Sequence, residues 1–238
     1  MLGLKRQGTC RVKVPFWPIL RFDRTDLTQY EFKDITPEVM DGQILDHPGG
    51  FDVAPDGSFW IPVSTSHRKG PTKICRFEIP AEQPLATARC VSSFSVNDHI
   101  GAVCCLTDNT LYGANWDTVE LHAWKTDGKA VERVKQAERF APADSRLAVQ
   151  DWKHFGTDSK TIIMGGLDKT KSPAAAVVRI ADIKHGKVFK SMKLSSREDT
   201  KRPLTNEGMA VSGRTLYLLP EDIGKGAKVL KFAMDGDE

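Results

Sequence analysis

Polar and apolar positions follow one pattern that recurs four times along the chain. Each repeat has a polar cluster, a short apolar stretch, a turn and a second apolar stretch, and a further pair of strand-like runs follows it. Two hairpins in a unit of roughly 50 residues, with strands of about 5–8 residues, are what a four-stranded propeller blade requires. We therefore predict an all-β fold, a β-propeller. The repeats begin at His47, His99, Gln150 and Asn206.

The two ends of the chain do not complete this pattern. Residues 19–35 provide an outer hairpin without an inner one, and the last repeat stops after one outer strand at Glu238. Four units and a half predict five blades, with six as the alternative, and an incomplete first blade. Either residues 12–16 close the ring beside the last blade, or an N-terminal stretch is missing from this sequence, and we favour a missing or divergent half blade. The chain is then a single propeller domain, residues 1–238, with a partial first blade at 1–40 and successive blades at 41–95, 96–148, 149–200 and 201–238.

Composition and charge narrow the class of protein. Lys and Arg number 34 against 31 Asp and Glu, and the net charge of +3 is not gathered into the basic clusters that nucleic acid or anionic membranes require. No apolar run approaches the roughly 20 residues of a membrane span, and the start MLGLKRQGTC lacks the apolar core of a signal peptide. The five cysteines show no CxxC or zinc-finger spacing. These features predict a cytoplasmic protein that binds neither nucleic acid nor membrane, and they leave its oligomeric state open.

The residues with chemical potential gather at two places in each repeat. In a propeller blade the start of the first strand and the end of the second emerge on the same face, near the axis. The acids, amides and histidines of the repeats lie at these two places. The paired glycines Gly49 and Gly50 are expected to relieve backbone crowding near the axis rather than to bind phosphate, because no helix follows them. Function is therefore expected on the polar axial face.

Three interpretations of this face remain open: acid–base catalysis by histidine, a structural role for the acids, and a divalent metal site. Asp98 and His99 would face the channel together only if they lie in a loop, because neighbours on a strand point to opposite sides. His47 or His99, each preceded by an acid, could transfer protons. The acids could instead be structural, capping backbone N–H groups or pairing between blades. A divalent metal, which would polarise a carbonyl group or activate water, needs oxygen ligands, and the candidates are Asp98, Asn115, Glu207 and Asp151.

The motifs HPGG, DHIG, QDWKHFG and LYLLPED together resemble those of an uncharacterised β-propeller family of bacteria and fungi, a domain of unknown function. The resemblance covers residues 44–232, and nothing in residues 1–41 matches the additional His-Pro-Gln-Gly unit with which that family begins. More distantly, Asn206, Glu207 and Gly208 followed by LYLLPED are similar to motifs of the gluconolactonase and senescence-marker propellers. That resemblance implies a divalent metal on the axis, calcium or another, and the opening of lactones, but the full set of metal ligands does not transfer.

Two hypotheses for the function follow. In the first, the protein is a small-molecule enzyme, a metal-assisted hydrolase or lactonase-like enzyme or a related cyclase or isomerase. The metal would lie on Asp98, Glu207 and Asn115, and His99 or His47 would move protons, so the predicted catalytic residues are His47, Asp98, His99 and Glu207. The predicted ligand-binding residues are Asn115, Trp116, Gln150, Asp151, Asn206, Glu221 and Asp222. In the second hypothesis, the propeller binds a small ligand or a protein partner without catalysis.

Overall fold

A small N-terminal sheet opens the fold. Its three strands pair antiparallel in the order β1-β2-β3, with bounds β1 (Leu2–Leu4), β2 (Pro18–Phe22) and β3 (Tyr30–Asp34). The single-turn helix α1 (Thr36–Val39) follows. The computed structural model describes residues 2–4, 18–22, 29–39, 45–80, 82–144, 147–194, 203–220 and 229–234.

Four further antiparallel sheets follow in chain order, and each is one blade of the propeller. Blade one contains β4 (His47–Pro48), β5 (Asp52–Val53), β6 (Phe59–Ser64), β7 (Thr72–Glu78) and β8 (Arg89–Val96). Blade two contains β9 (Ile100–Cys105), β10 (Thr110–Asn115), β11 (Glu120–Lys125) and β12 (Ala130–Lys135), and the single-turn helix α2 (Gln136–Arg139) follows it. Blade three contains β13 (Leu147–His154), β14 (Thr161–Asp168), β15 (Ala175–Asp182) and β16 (Lys187–Leu194). Blade four contains β17 (Gly208–Ser212), β18 (Thr215–Leu219) and β19 (Leu230–Ala233).

The all-β propeller is confirmed, but the predicted number of blades is wrong. The described residues form four blades, not five or six, because the N-terminal strands that resemble half a blade form a separate sheet. Strand β3 of that sheet lies against the 3₁₀ turn Leu85–Thr87 at the outer side of blade one, where the Leu85 backbone N–H donates to Glu31 Oε2 at 2.7 Å. Ile19 of β2 is buried in one apolar cluster with Phe59 and Ile61 of β6, so the sheet also covers the side of blade one that faces away from blade two. Residues 12–16, the proposed closing strand, lie outside the described residues.

The apolar core lies between neighbouring blades, because both sides of a blade are covered. Alternate residues of β9 face opposite neighbours: Cys104 packs with Trp152 of blade three, and Cys105 packs with Trp60 of blade one. All four of these side chains are buried. Within the described residues, none of the helices has the length and apolar character needed to cross a membrane.

The first strand of three blades carries a one-residue irregularity at the same place. In blade two Ile100 and Ala102 are paired with Asn115 and Ala114, so Gly101 is the extra residue of a β-bulge. In blade three the extra residue is Gln150. In blade one β4 and β5 pair with β6 in registers that differ by one residue. Each bulge bends the strand near the axis and re-aims the side chains beside it.

The glycine pair of blade one allows its backbone to approach the first strand of blade two. The Gly50 N–H donates to the Gly101 carbonyl at 2.8 Å, and the Val103 N–H donates to the Gly50 carbonyl at 3.0 Å. A Cβ on Gly49 would lie 2.3 Å from the Gly101 oxygen, and one on Gly50 would lie 2.6 Å from the Gln150 oxygen. The predicted backbone crowding is therefore confirmed.

A buried ion pair joins three blades at the axis. Asp151 on β13 is 5% exposed, and its Oδ1 lies 2.5 Å from Lys153 Nζ. Its Oδ2 accepts the Met209 backbone N–H of blade four at 2.8 Å. The Lys153 ammonium group also donates to the Phe51 carbonyl of blade one. Burial raises the pKa of Asp151, although Lys153 acts in the opposite direction.

A second acid, Asp52, is buried beside this pair. Its Oδ2 accepts the His154 backbone N–H at 2.9 Å, and its Oδ1 accepts the Val53 N–H at 2.9 Å. Burial raises the pKa of Asp52 to about 7, and the Asp151 charge adds to the rise while Lys153 opposes it. The sequence patterns did not single out Asp52.

The close approach of the first two blades yields a stability prediction. Gly49→Ala should lower the free energy of unfolding by roughly 1–3 kcal/mol, because its methyl group would overlap a neighbouring backbone oxygen. Gly101→Ala is the matched control, since the atom nearest to its Cβ would be 3.8 Å away. Urea unfolding of both variants measures the difference. Equal stability of the two variants would contradict the proposed contact.

Asp52 yields a prediction about pH. An acid whose pKa is raised in the folded state holds its proton more tightly there than in the unfolded chain, so its contribution to stability falls as pH rises from about 4 to about 7. Asp52→Asn does not titrate, so its free energy of unfolding relative to wild type should rise across this interval, by at most about 1.4 kcal/mol per pH unit. Urea unfolding at a series of pH values tests this. A difference that stays constant with pH would show that the Asp52 pKa is not raised.

Candidate functional site

An Asp-His pair occupies the corresponding position in two neighbouring blades. His47 pairs with Ser64 at the end of β6. The backbone carbonyl of His99 accepts the backbone N–H of Trp116, just after β10, at 2.9 Å. Both histidines therefore stand at the axial start of a first strand, shortly before its irregularity. Their ring centroids are 5.2 Å apart. The structure thus brings together the two histidines that the sequence singled out.

The Trp116 indole completes this cluster. Its ring centroid lies 4.6 Å from that of His99 in an edge-to-face arrangement and 5.6 Å from that of His47. Trp116 begins the 3₁₀ turn Trp116–Thr118, which connects the second and third strands of blade two. The His47, His99 and Trp116 rings, here called the histidine cluster, form the candidate site.

His99 carries the most informative geometry. It is fully buried, and its Nδ1 lies 2.9 Å from the His67 carbonyl oxygen. A carbonyl can only accept, so Nδ1 bears the proton and Nε2 of the neutral ring is a bare acceptor. No described residue offers Nε2 a hydrogen bond, and the buried Asp46 Oδ1 is likewise without a donor in the described chain. Burial lowers the pKa of His99, and it outweighs the opposing effects of the His67 carbonyl, Asp98 and Asp46.

Asp98 holds the backbone of His99 from a loop. Because β9 begins only at Ile100, Asp98 does not have to alternate with His99 across a strand, and its Oδ1 accepts the His99 N–H at 2.8 Å. Its Oδ2 lies 3.1 Å from both Asn115 Nδ2 and His122 Nε2. Burial opposes the charge of Asp98, but these hydrogen bonds outweigh it and lower its pKa. Asp98 is therefore an ionised positioning group beneath the histidine cluster.

A group of possible metal ligands lies around Asp98, and two of its members were missed by the sequence analysis. Ligand atoms of Asp98, Glu120 and His122 are within 4.8 Å of one another. The Arg133 guanidinium lies against the same group. Its Nη2 and Nε are 2.5 and 2.9 Å from Glu120 Oε2, and its Nη2 is 3.9 Å from Asp98 Oδ2. The available signal was the Glu120-x-His122 spacing, which puts both side chains on one side of β11.

The remaining predicted site residues are spread more widely. Asn115 Oδ1, the one side-chain atom of that residue that could bind a metal, accepts the Glu120 N–H at 2.8 Å. Asp151 belongs to the axial ion pair, and Gln150 is the bulge residue beside it. Asn206 donates to Glu207, and both are half-buried before β17. Glu207 is not a member of the Asp98 group. Glu221 and Asp222 lie outside the described residues.

Solved structures of similar fold confirm the propeller. A protein of unknown function from Bacteroides caccae matches with a TM-score of 0.56 and 9% identity, covering 98% of this chain and 90% of that chain. Luciferin-regenerating enzyme matches with a TM-score of 0.51 and 10% identity over 87% of this chain, which spans only 64% of that protein. The calcium-binding protein regucalcin from Agrobacterium tumefaciens str. C58 has a TM-score of 0.49 and 11% identity, over 91% of this chain and 66% of that chain. The first two likenesses show the fold alone.

The sequence comparison identifies the family. None of the curated proteins matches this chain. Residues 28–193, more than half of the chain, match a family of unknown function. This match confirms the resemblance seen in the HPGG, DHIG and QDWKHFG motifs, all of which lie inside it. The chain belongs to DUF6454, a family of unknown function.

Proposed function

We propose that the histidine cluster is the active site of a small-molecule enzyme, a hydrolase that opens lactones or related esters. The observation that carries this proposal is His99, whose Nδ1 proton is held by a backbone carbonyl while its buried Nε2 has no donor among the described residues. A neutral imidazole with one fixed nitrogen and one free acceptor is the arrangement of a general base. Its lowered pKa keeps the ring neutral at physiological pH.

The chemistry follows from the two rings. Nε2 of His99 would take a proton from water as the water oxygen bonds to the ester carbonyl carbon. The ester C–O bond then breaks, and His47 in its protonated form, which is only half-buried, would donate a proton to the leaving alkoxide. Transfer of the proton from His99 to His47 would then restore both rings. One water is added across one bond. A cyclase or isomerase of the same site would use the same two proton transfers without adding water.

The other candidate residues receive different roles. Trp116 would form an aromatic wall for the substrate, and Asp98 acts on His99 through its backbone, which makes it a positioning residue. Asp151 is assigned to the axial ion pair. Contacts of the substrate with Gln150, Asn206, Glu207, Glu221 and Asp222 stay predictions.

A non-catalytic binding propeller is the second candidate, and one observation favours it. The carboxylates of Asp98 and Asp151 are engaged by protein donors, so two of the acids expected to act on a ligand are structural instead. A binding protein would need only the Trp116 ring and the polar residues of the axial face. Turnover distinguishes the two candidates.

The enzyme proposal predicts a selective loss of turnover. His99→Gln and His47→Ala should each lower kcat by roughly 10²–10⁴-fold, because each removes a proton-transfer group. His185→Gln is the control, since the His185 side chain is 71% exposed and pairs with Asp182. A panel of lactones and aryl esters, followed by acid release, provides the assay.

The pH profile of the same reaction is a second readout. Activity should persist below the ordinary imidazole pKa of about 6.5, because the pKa of His99 is lowered. Ligand binding without turnover, or unchanged rates in both histidine variants, would instead support the binding propeller.

A divalent cation, calcium or another, is the cofactor that the sequence pattern suggests. The described donors do not fit it well, since Asp98 and Asn115 are engaged by protein donors and Arg133 places a positive charge inside the Asp98, Glu120 and His122 group. The mechanism therefore uses no metal step.

This conclusion about the metal is testable. Calcium, magnesium, manganese and zinc should leave the Tm of the wild type and of Glu120→Gln and Glu207→Gln equally unchanged. Elemental analysis of the purified protein provides a second measurement. A stoichiometric metal, or a Tm increase lost in either variant, would restore the metal-assisted reaction and identify its ligand.

A further inference from the structure

The proposed base is closed off from solvent. His99 is 0% exposed, and the Trp116 ring covers it at a centroid distance of 4.6 Å. A substrate cannot reach Nε2 of His99 unless a neighbouring group moves. Of its two aromatic neighbours, Trp116 lies on a connecting turn, whereas His47 lies in β4 and pairs with Ser64.

The turn that carries Trp116 is strained. Asp117 and Thr118 have φ values of 60° and 56°, a region that disfavours side chains with a Cβ. Two consecutive residues of this kind, neither of them glycine, persist only where surrounding contacts hold them, and such strain is typical of switch segments. Release of the turn would therefore relieve strain.

The two ends of the turn are anchored. Thr118 is buried, and its Oγ1 accepts the Val149 N–H at 2.7 Å. On the other side, Asn115 is held by Asp98 at 3.1 Å and by the Glu120 N–H at 2.8 Å. Trp116 and Asp117 lie between these fixed points. The Trp116 backbone N–H donates to the His99 carbonyl at 2.9 Å, so the groups that can swing are the indole and the Asp117 side chain.

In the described part of the chain, exposed basic side chains hold the Asp117 carboxylate. The Asp117 carboxylate lies 3.5 Å from Arg68 Nη1 of blade one and pairs with Lys169 from the loop after β14 in blade three. The Arg68 guanidinium also lies 5.2 Å from the Trp116 ring centroid. The side chains of Arg68 and Lys169 are 68% and 47% exposed. Exposed ion pairs are weak and screened by salt, so the Asp117 ion pairs can break.

We propose that Trp116 and Asp117 form a gate over His99, held shut by the ion pairs of Asp117 with Arg68 and Lys169. The catalytic meaning of the gate rests on the proposed function, but its existence does not. Opening would remove the indole from His99 and expose Nε2 to substrate. Closing would exclude bulk water from the site.

The test measures access to His99 directly. Diethyl pyrocarbonate modifies unprotonated imidazole nitrogens, and peptide mapping by mass spectrometry reports the rate at each histidine. His185 is the exposed internal reference and His122, 5% exposed, is the buried one. Asp117→Asn removes the charge while keeping a residue that tolerates positive φ. Lys169→Met breaks one ion pair from the other side, and Asp127→Asn is the control, an acid on a solvent turn of the same blade.

The gate predicts a graded result. In the wild type His99 should react far more slowly than His185. Asp117→Asn should raise the His99 rate by roughly tenfold and Lys169→Met by up to roughly fivefold, as expected for the loss of two exposed ion pairs and of one. Asp127→Asn should change nothing, and His122 should stay protected in all variants.

Three results would overturn the gate. One is a wild-type His99 that reacts as fast as His185, and another is an Asp117→Asn rate equal to that of the wild type. The third is a parallel rise at His122, which would show general loosening of blade two rather than opening of a turn. If the gate is confirmed but no lactone or ester is hydrolysed, the gate proposal holds and the proposed reaction is wrong.

Discussion

The buried ion pair of Asp151 and Lys153 is the interaction on which the arrangement of the blades depends. The Asp151 carboxylate accepts a backbone N–H from blade four and pairs with Lys153, which in turn reaches a backbone carbonyl of blade one. Removing one partner of such a pair would leave an uncompensated buried charge, which destabilises a protein by roughly 3–5 kcal/mol. Gly49 and Gly50 lie in the same crowded region, and a Cβ at either position would overlap a neighbouring backbone oxygen.

The candidate site is a consequence of this axial packing. First strands that approach so closely bring their entry loops together, and the recurring bulge sets where each loop begins. The two Asp-His pairs therefore meet although they are far apart in sequence. His99 then lies deep enough for burial to favour the neutral ring, and Asp98 keeps its backbone in place.

Hydrophobic patterning predicted much of the fold, because each hairpin is a local feature. In blade two the further pair of strand-like runs that it predicted is β11 and β12. The blade number could not be predicted, since an N-terminal hairpin has the same alternation whether it belongs to a blade or packs against blade one as a separate sheet. The convergence of His47 and His99 followed from topology. Glu120 and His122 were missed because they lie on a third strand, and Asp52 because only burial distinguishes it from a surface acid.

The central claim is that His99 presents a free base on Nε2, and heteronuclear NMR of its imidazole nitrogens tests it most directly. The structure predicts a proton on Nδ1, none on Nε2 at neutral pH, and a titration below the ordinary value of about 6.5. Such a spectrum would leave the ring ready to accept a proton from water. A ring protonated on both nitrogens at neutral pH, with Nε2 bonded to the Asp46 carboxylate, would contradict the account, because His99 would then be half of a structural ion pair.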